Sequence, residues 1–325
     1  MSCTDFVSRL RAFNLIKEAP LFFPSFQAAY TRINALFEVY CDTGLAQNLV
    51  IIGQTGDGKS TLAAAILRQH PKHRGTDRDI VPVVYARIPP GATIGGTAEA
   101  ILMGLGDFSP ANGSAATKTQ RIATLARGCD VRLLIIDEAQ HLYDRGKSYT
   151  HYHVGDWLKA LVDMLAIPVV LIGLPRTVQL LHVNEQLRRR FTEMLQISLP
   201  SGSTQDCAEG SLRTFVGLCD GVEITIDYEV YDWAEWGERL WYASDGRIGY
   251  LSQLLLGILL SREDKGRLEI RLNDLEMSFA RYLWRDVVPS LNPFSLEFTF
   301  RQLNRPGEPF GPDVAAADKL AKVAA

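Results

Sequence analysis

The chain has 325 residues, 47% of them hydrophobic and 22% charged, with a formal net charge of −3. That is enough for a sizeable core in one large and one small domain, with the balance of a soluble globular protein. It excludes a highly basic nucleic-acid coat, although a ring or filament can align one modest basic patch per subunit along a duplex. No apolar run is long enough to span a membrane, and Leu161–Leu174 is interrupted by Asp163 and Pro168. The N-terminus lacks a signal peptide's apolar segment, so a cytoplasmic location is expected. The five cysteines include no C-x-x-C pair and read as reduced packing residues.

In chain order, residues 1–45 read as a helical lead-in broken at Pro20 and Pro24. Within it, Ser25–Tyr40 forms an amphipathic pattern, with Ala29, Ile33, Leu36, Phe37 and Tyr40 on one side. Asn48–Ile52 is an apolar strand, and Ser60–Arg68, rich in Ala and Leu, is a helix. Arg68–Asp79 reads as a loop, Ile80–Ile88 as a strand, Thr97–Leu105 as a helix, Gly106–Thr117 as a flexible loop and Lys118–Arg127 as a helix. Leu133–Ile136 is a continuous apolar run, as expected of a strand buried on both faces. Tyr143–His153 reads as a loop, and His151 and His153 suit a loop or solvated helix start better than a zinc site. Val154–Leu165 follows as a helix, Pro168–Ile172 as a strand, Val178–Arg190 as largely helix and Leu195–Leu199 as a last strand.

Strands and helices thus alternate through residues 46–200, which predicts an α/β core. Its sheet is parallel, with helices on both faces and phosphate chemistry at the strands' C-terminal edge. Pro200–Gly202 marks the expected boundary, residues 201–285 a helical lid, and residues 286–325 a flexible tail.

Two motifs carry chemistry. Gly53–Ser60 fits G-x-x-x-x-G-K-[ST], a phosphate loop joining strand to helix. Gly53 and Gly58 let the backbone curl so that the N–H groups of Gln54, Thr55, Gly56 and Asp57 face phosphate oxygens. The helix start at Ser60 and Thr61 adds partial positive charge. Lys59 reaches the outer phosphates and the Ser60 hydroxyl can ligate Mg²⁺. The second motif, Leu133–Gln140, ends an apolar strand in Asp137 and Glu138. Adjacent carboxylates at a buried strand end are costly unless a metal or water needs them. Asp137 is therefore assigned to Mg²⁺ and Glu138 to the attacking water. Together the motifs predict an NTPase.

Two arginine features extend this reading. Leu187–Phe191 holds three arginines near a helix end. They suit a solvated helix C-terminus, or a finger that reaches a neighbour's γ-phosphate, with Arg190 as first choice and Arg189 as second. Arg247, in Asp245–Gly249 before an apolar helix, fits a nucleotide-sensing position at the start of a lid helix, with an ordinary glycine-containing helix entry as the alternative.

With these residues in hand, the chain resembles the TniB family of transposition ATPases, AAA+ proteins related in role to TnsC. The matching segments are NLVIIGQTGDGKST, His70-Pro71, PVVYARIPP, VRLLIIDEAQHL, IPVVLIGLPRT, NEQLRRRF, SDGRIGYLSQLL and the Asn292–Phe294 tail motif. The resemblance implies a P-loop AAA+ fold with a smaller helical lid. It also implies an ATP- and Mg²⁺-dependent homo-oligomer, ring or filament, on double-stranded DNA. Its partners would be a DDE transposase of the TniA/TnsB kind and a TniQ-like targeting protein. Arg190 then fits the finger and Arg247 the second sensor. By position in such assemblies, Arg87, Lys118, Thr119 and Arg121 are candidate DNA contacts, with ordinary surface charge the alternative. The Asn292–Phe294 aromatic is a candidate hook for the transposase.

Two departures stand out: Asp57 inside the phosphate loop, whose carboxylate must point away from the phosphates, and Leu174 where a polar first-sensor residue is often found, with Arg176 or Thr177 as substitutes. The competing readings are an AAA+ loader or remodeller of another DNA-processing protein, and a P-loop small-molecule kinase. The carboxylate pair and the arginine-rich segment argue against the kinase.

Overall fold

A computed structural model of the chain describes residues 3–18, 23–143, 148–200, 203–227, 232–261 and 269–311. The chain divides into two compact units, one of residues 25–197, the other of residues 1–24 with 198–325. The lead-in expected over residues 1–45 is therefore shared: α1 (Cys3–Glu18) goes with the second unit, and nearly all of α2 (Pro24–Thr43) with the first. Phe26, Ala29, Ile33, Leu36 and Phe37 of α2 are buried at helical spacing, as the apolar pattern requires.

The first unit continues with β1 (Leu49–Ile52), α3 (Lys59–Gln69), β2 (His73–Arg74), β3 (Asp79–Ile80), β4 (Val83–Arg87), α4 (Ile94–Leu105), α5 (Ala115–Gly128) and β5 (Leu133–Asp137). It ends with α6 (Ser148–Leu165), β6 (Val169–Gly173), α7 (Val178–Val183), α8 (Glu185–Arg188) and β7 (Glu193–Gln196). Five strands form one parallel sheet in the order β4-β5-β6-β1-β7. Val50, Ile136 and Leu171 pack with Ile101, Ile122 and Leu158 of α4, α5 and α6. The alternate residues Leu49, Ile51, Ile135, Val170 and Ile172 are equally buried, so neither face of the central strands meets water. That is why these strands read as unbroken apolar runs.

Several expected boundaries move for local reasons. The strand expected over Ile80–Ile88 is cut at Pro82, which has no N–H for a ladder. Its carbonyl instead accepts from Arg132 and Leu133, and Asp79–Ile80 pairs antiparallel with His73–Arg74 inside the expected loop. The helix expected over Val178–Arg190 is split at Asn184, whose extended backbone ends α7 and whose side chain caps α8 by accepting from Leu187 N. α6 begins at Ser148, so the expected loop Tyr143–His153 runs into a helix, with residues 144–147 outside the described residues. The expected loop Gly106–Thr117 is tied down by Arg121, which donates to the carbonyls of Ser109 and Asn112.

The second unit holds α9 (Thr204–Asp220), β8 (Thr225–Ile226), α10 (Trp233–Ser244), α11 (Ile248–Ser261), β9 (Glu269–Ile270) and α12 (Leu272–Ser278). Ser203 and Asp206 form a reciprocal capping box at the start of α9. Ser201 and Gly202, part of the expected boundary, lie outside the described residues.

The expected flexible tail is corrected over residues 286–311. Phe294 is fully buried against Phe279, and Leu303 is fully buried as well. Arg239, 3% exposed, donates to the carbonyls of Pro293 (2.7 Å) and Ser295 (3.0 Å) while pairing with Glu235. Phe294 is thus a core residue here and not an exposed hook. Residues 312–325 lie outside the described residues.

Arg239→Ala would leave two buried carbonyls without a donor. An expected loss of about 3 kcal/mol follows from a broken buried charge-assisted network, readable by denaturant unfolding. Limited proteolysis should at the same time shift to cleavage between residues 286 and 311. An unchanged unfolding midpoint and unchanged cleavage would show that the arginine does not hold this segment.

Candidate nucleotide-binding site

β1, β5 and β6 end side by side, and the loops that leave them carry the polar residues. Gly53 follows β1, and its N–H donates to the carbonyl of Gly173 at the end of β6 (3.1 Å). A side chain at Gly53 would meet the carbonyl of Ile197 at 2.8 Å, so close packing excludes it. Gly58 instead has φ +87°, which favours glycine, and its carbonyl accepts Leu62 N–H to open α3. Gln54, Thr55, Gly56 and Ser60 are exposed and Thr61 is half-buried, leaving the loop open to a ligand.

Asp57 is 4% exposed and its Oδ2 accepts from Gln54 N at 2.5 Å. The carboxylate therefore folds back into the loop and caps it. Lys59 is also buried, and its Nζ donates to the carbonyls of Gly53 (2.9 Å) and Gln54 (2.7 Å). Burial holds the lysine's pKa below its ordinary value, opposed by the negative charges of Asp57, Glu138 and Asp137. Two loop carbonyls thus occupy two of the three ammonium donors that a phosphate would draw on.

Asp137, at the end of β5, is 1% exposed. A buried carboxylate needs donors, and it has three: Tyr85 O–H at 2.7 Å, Ser60 O–H at 3.3 Å and Glu138 N–H at 2.8 Å. Tyr85 comes from β4, where its partner across the ladder is Ile135. Burial and the bond to Asp137 raise the tyrosine's pKa well above its usual range, so it remains a donor. The Ser60 hydroxyl and the Asp137 carboxylate lie together, and two hard oxygen ligands so placed fit a magnesium ion.

Glu138 has φ +57° and ψ +36°, a left-handed backbone that a non-glycine residue adopts only when its surroundings enforce it. Its Oε1 lies 3.4 Å from Arg87 Nη2, and its Oε2 accepts from Gln140 Nε2. Gln140, 1% exposed, uses its other amide atom to accept from Leu174 N at 3.1 Å. Of the expected first-sensor substitutes, Arg176 is exposed, and the Thr177 hydroxyl is buried without a hydrogen-bond partner among the described residues. Tyr85 and Gln140 were missed from the sequence. Gln140 stood inside the second motif, but an uncharged amide gave no sign that it would bridge two strand ends.

The structure therefore gathers Lys59, Ser60, Asp137 and Glu138, and adds Arg87 to them. The other three candidate DNA contacts have partners within the fold. Lys118 is buried and paired with Glu99 at 3.0 Å. The buried Thr119 hydroxyl donates to Ala115 O and accepts from Trp157 Nε1. Arg121 pairs with Asp107 at 2.6 Å. Lys118 ties α5 to α4, Thr119 ties α5 to α6, and Arg121 ties α5 to the loop that precedes it.

The three arginines of α8 and its end also differ. Arg190 is exposed and paired with Asp163 (2.7 Å), and Arg189 pairs with Glu185 (2.7 Å). Arg188 is exposed and has no ion-pair partner among the described residues. Arg247 belongs to the other unit, where it pairs with Asp245 (2.8 Å) and lies 5.5 Å from the Phe310 ring centre.

Asp57→Asn keeps an acceptor for Gln54 N–H but removes a negative charge beside incoming phosphates. The expected gain in ATP affinity is on the order of tenfold, from about 1–2 kcal/mol of relieved repulsion, and isothermal titration calorimetry reads it directly. Unchanged or weaker binding would mean the phosphates do not feel this carboxylate.

Comparison with known proteins places this geometry. No helix among the described residues is long and apolar enough to cross a membrane. No curated protein matches the chain. Among solved structures, the Aeropyrum pernix Orc1 protein, solved in complex with DNA, is similar at TM-score 0.58 and 16% identity, over 80% of this chain and 66% of that one. The chain thus spans just under two thirds of that protein's length. Pyrobaculum aerophilum Cdc6p is similar at TM-score 0.59 and 14% identity, over 84% of this chain and 70% of that one. The Aeropyrum pernix ORC2 protein is similar at TM-score 0.54 and 12% identity, over 80% and 68%. These likenesses establish the fold, the α/β P-loop AAA+ arrangement with a smaller helical part. The family described as "Bacterial TniB protein" matches residues 12–198, more than half of the sequence, and the chain belongs to the TniB family.

Proposed function

We propose that this protein is an ATP-dependent DNA-binding regulator of transposition. It oligomerises on target double-stranded DNA and recruits and activates a DDE transposase, together with a TniQ-like targeting protein. The observation that carries this reading is the meeting of Lys59, Ser60, Asp137 and Glu138 at one sheet edge in a chain of the TniB family.

Each residue has a defined task. Lys59 exchanges its two loop carbonyls for the outer phosphates. Ser60 and Asp137 would hold Mg²⁺, whose charge would offset that of the phosphates. Glu138 orients the attacking water, and an arginine of a neighbouring subunit meets the γ-phosphate across the interface. Arg190 can do so only by leaving Asp163, whereas Arg188 has no ion-pair partner among the described residues to leave. Arg247 senses the nucleotide from the lid. Loss of the γ-phosphate then removes what the finger grips, so hydrolysis times disassembly.

A second reading, an AAA+ loader or remodeller of another DNA-processing protein, is favoured by one observation. Three of the four expected DNA contacts are engaged inside the fold.

Electron microscopy of the protein with duplex DNA separates the two. Rings or filaments on DNA only with a non-hydrolysable ATP analogue are expected, and none with ADP. Nucleotide binding without any DNA assembly would move the assignment to the remodeller. In the same assay Lys59→Ala should abolish nucleotide binding, and Glu138→Gln should bind ATP and stay assembled. A Glu138→Gln protein that disassembles as fast as wild type would sink the timer. Arg188→Ala and Arg190→Ala, tested for concentration-dependent ATPase, should identify the finger by a loss of about 100-fold or more.

A further inference from the structure

The peptide unit between Gly173 and Leu174 has both of its polar groups committed. Its carbonyl accepts from Gly53 N–H, the first residue of the phosphate loop. Its N–H donates to Gln140 Oε1, and Gln140 Nε2 donates to Glu138 Oε2. The amide orientation follows from chemistry alone, because a backbone N–H can only donate and an ionised carboxylate can only accept. One peptide plane and one side chain therefore connect the start of the phosphate loop to the water-orienting carboxylate.

The surroundings make this connection stiff. Gln140 is 1% exposed and Gly173 is buried, with no room at Gly173 for a larger residue. A Cβ there would collide with Thr177 Oγ1 and stand 2.7 Å from Gln140 Oε1. Glu138 already sits in a left-handed backbone, so its side-chain direction depends on outside contacts. On the other oxygen the contact is Arg87, whose side chain is 66% exposed at 3.4 Å, a weak restraint. Position 174 is a leucine, which adds no polar side chain of its own, so only its backbone N–H enters this network.

We infer that Gln140 is a positioning residue for hydrolysis. It fixes the Glu138 carboxylate relative to the phosphate loop through the Gly173–Leu174 peptide. This rests on the ATPase reading above.

The test is Gln140→Met, which keeps side-chain length and burial but deletes both hydrogen bonds. Steady-state ATPase, binding of a fluorescent ATP analogue and thermal unfolding are measured together, with DNA present. The expected result is a fall in kcat of about tenfold or more, with analogue affinity within about threefold of wild type. A kcat within about fivefold of wild type overturns the inference, since packing alone would then suffice.

If Gln140→Met loses analogue binding or unfolds early, Gln140→Glu decides. It keeps an acceptor for Leu174 N–H but sets a carboxylate against Glu138. Folded protein with kcat lost supports the inference, and wild-type turnover overturns it. A wild-type protein that binds the analogue yet never turns ATP over would fail the ATPase reading itself. That outcome is visible before any variant is compared.

Discussion

Burial of β1 between two parallel neighbours is the constraint on which the rest of the structure depends. Leu49 to Ile52 pair with Val170 to Gly173 on one side and Glu193 to Gln196 on the other. Parallel pairing in register brings the C-terminal ends of β1 and β6 level, with the end of β5 next to β6. Residues distant in sequence, Gly53, Asp137 and Gly173, thereby become neighbours around one edge. Because β1, β5 and β6 are buried on both faces, a one-residue slip in register would swap the side chains packed against each face and break the close packing on both. The position of the polar edge is thus fixed by the apolar core beneath it.

At that edge the fold holds charge in a poised form. Asp137 and Lys59 are almost completely buried, a large desolvation cost, and each is compensated by groups already in place. Asp137 has Tyr85, Ser60 and a backbone N–H. Lys59 has two loop carbonyls and the field of three carboxylates. An entering phosphate thus replaces existing bonds instead of finding bare charges. Asp57, folded back onto Gln54 N–H, shapes the loop at the expense of a negative charge close to the anion it must receive.

Partners, more than residue type, decide what the cationic side chains can do. Lys118 and Arg121 were candidates for a duplex because they are cations at a suggestive position. In the fold, Glu99 and Asp107 engage them. Among three consecutive arginines, two pair with Asp163 and Glu185, while Arg188 is exposed and has no ion-pair partner among the described residues. Arg239, unremarked in the sequence, is the buried donor that binds residues 293–295 to α10. None of these pairings has a fixed sequence spacing, apart from the i,i+4 contacts of Arg189 and Arg239.

By itself the sequence determined the strand–helix alternation, the phosphate loop at Gly53–Ser60 and the carboxylate pair ending β5. These are local signals: an apolar run, a glycine pattern and two acids at a run's end are each complete within a few residues. Only the tertiary structure decided that Pro82 separates two strands, that Phe294 belongs to a core, that Thr119 receives Trp157, and that Gln140 bridges Glu138 to Leu174. Two of those outcomes depend on groups that meet across 34 and 38 positions of chain, Gln140 with Leu174 and Thr119 with Trp157. A hydrogen bond or buried contact between distant residues leaves no periodic trace in either segment. The phosphate-binding chemistry was therefore legible from motifs, while the wiring among its parts appeared only when the sheet brought the strand ends together.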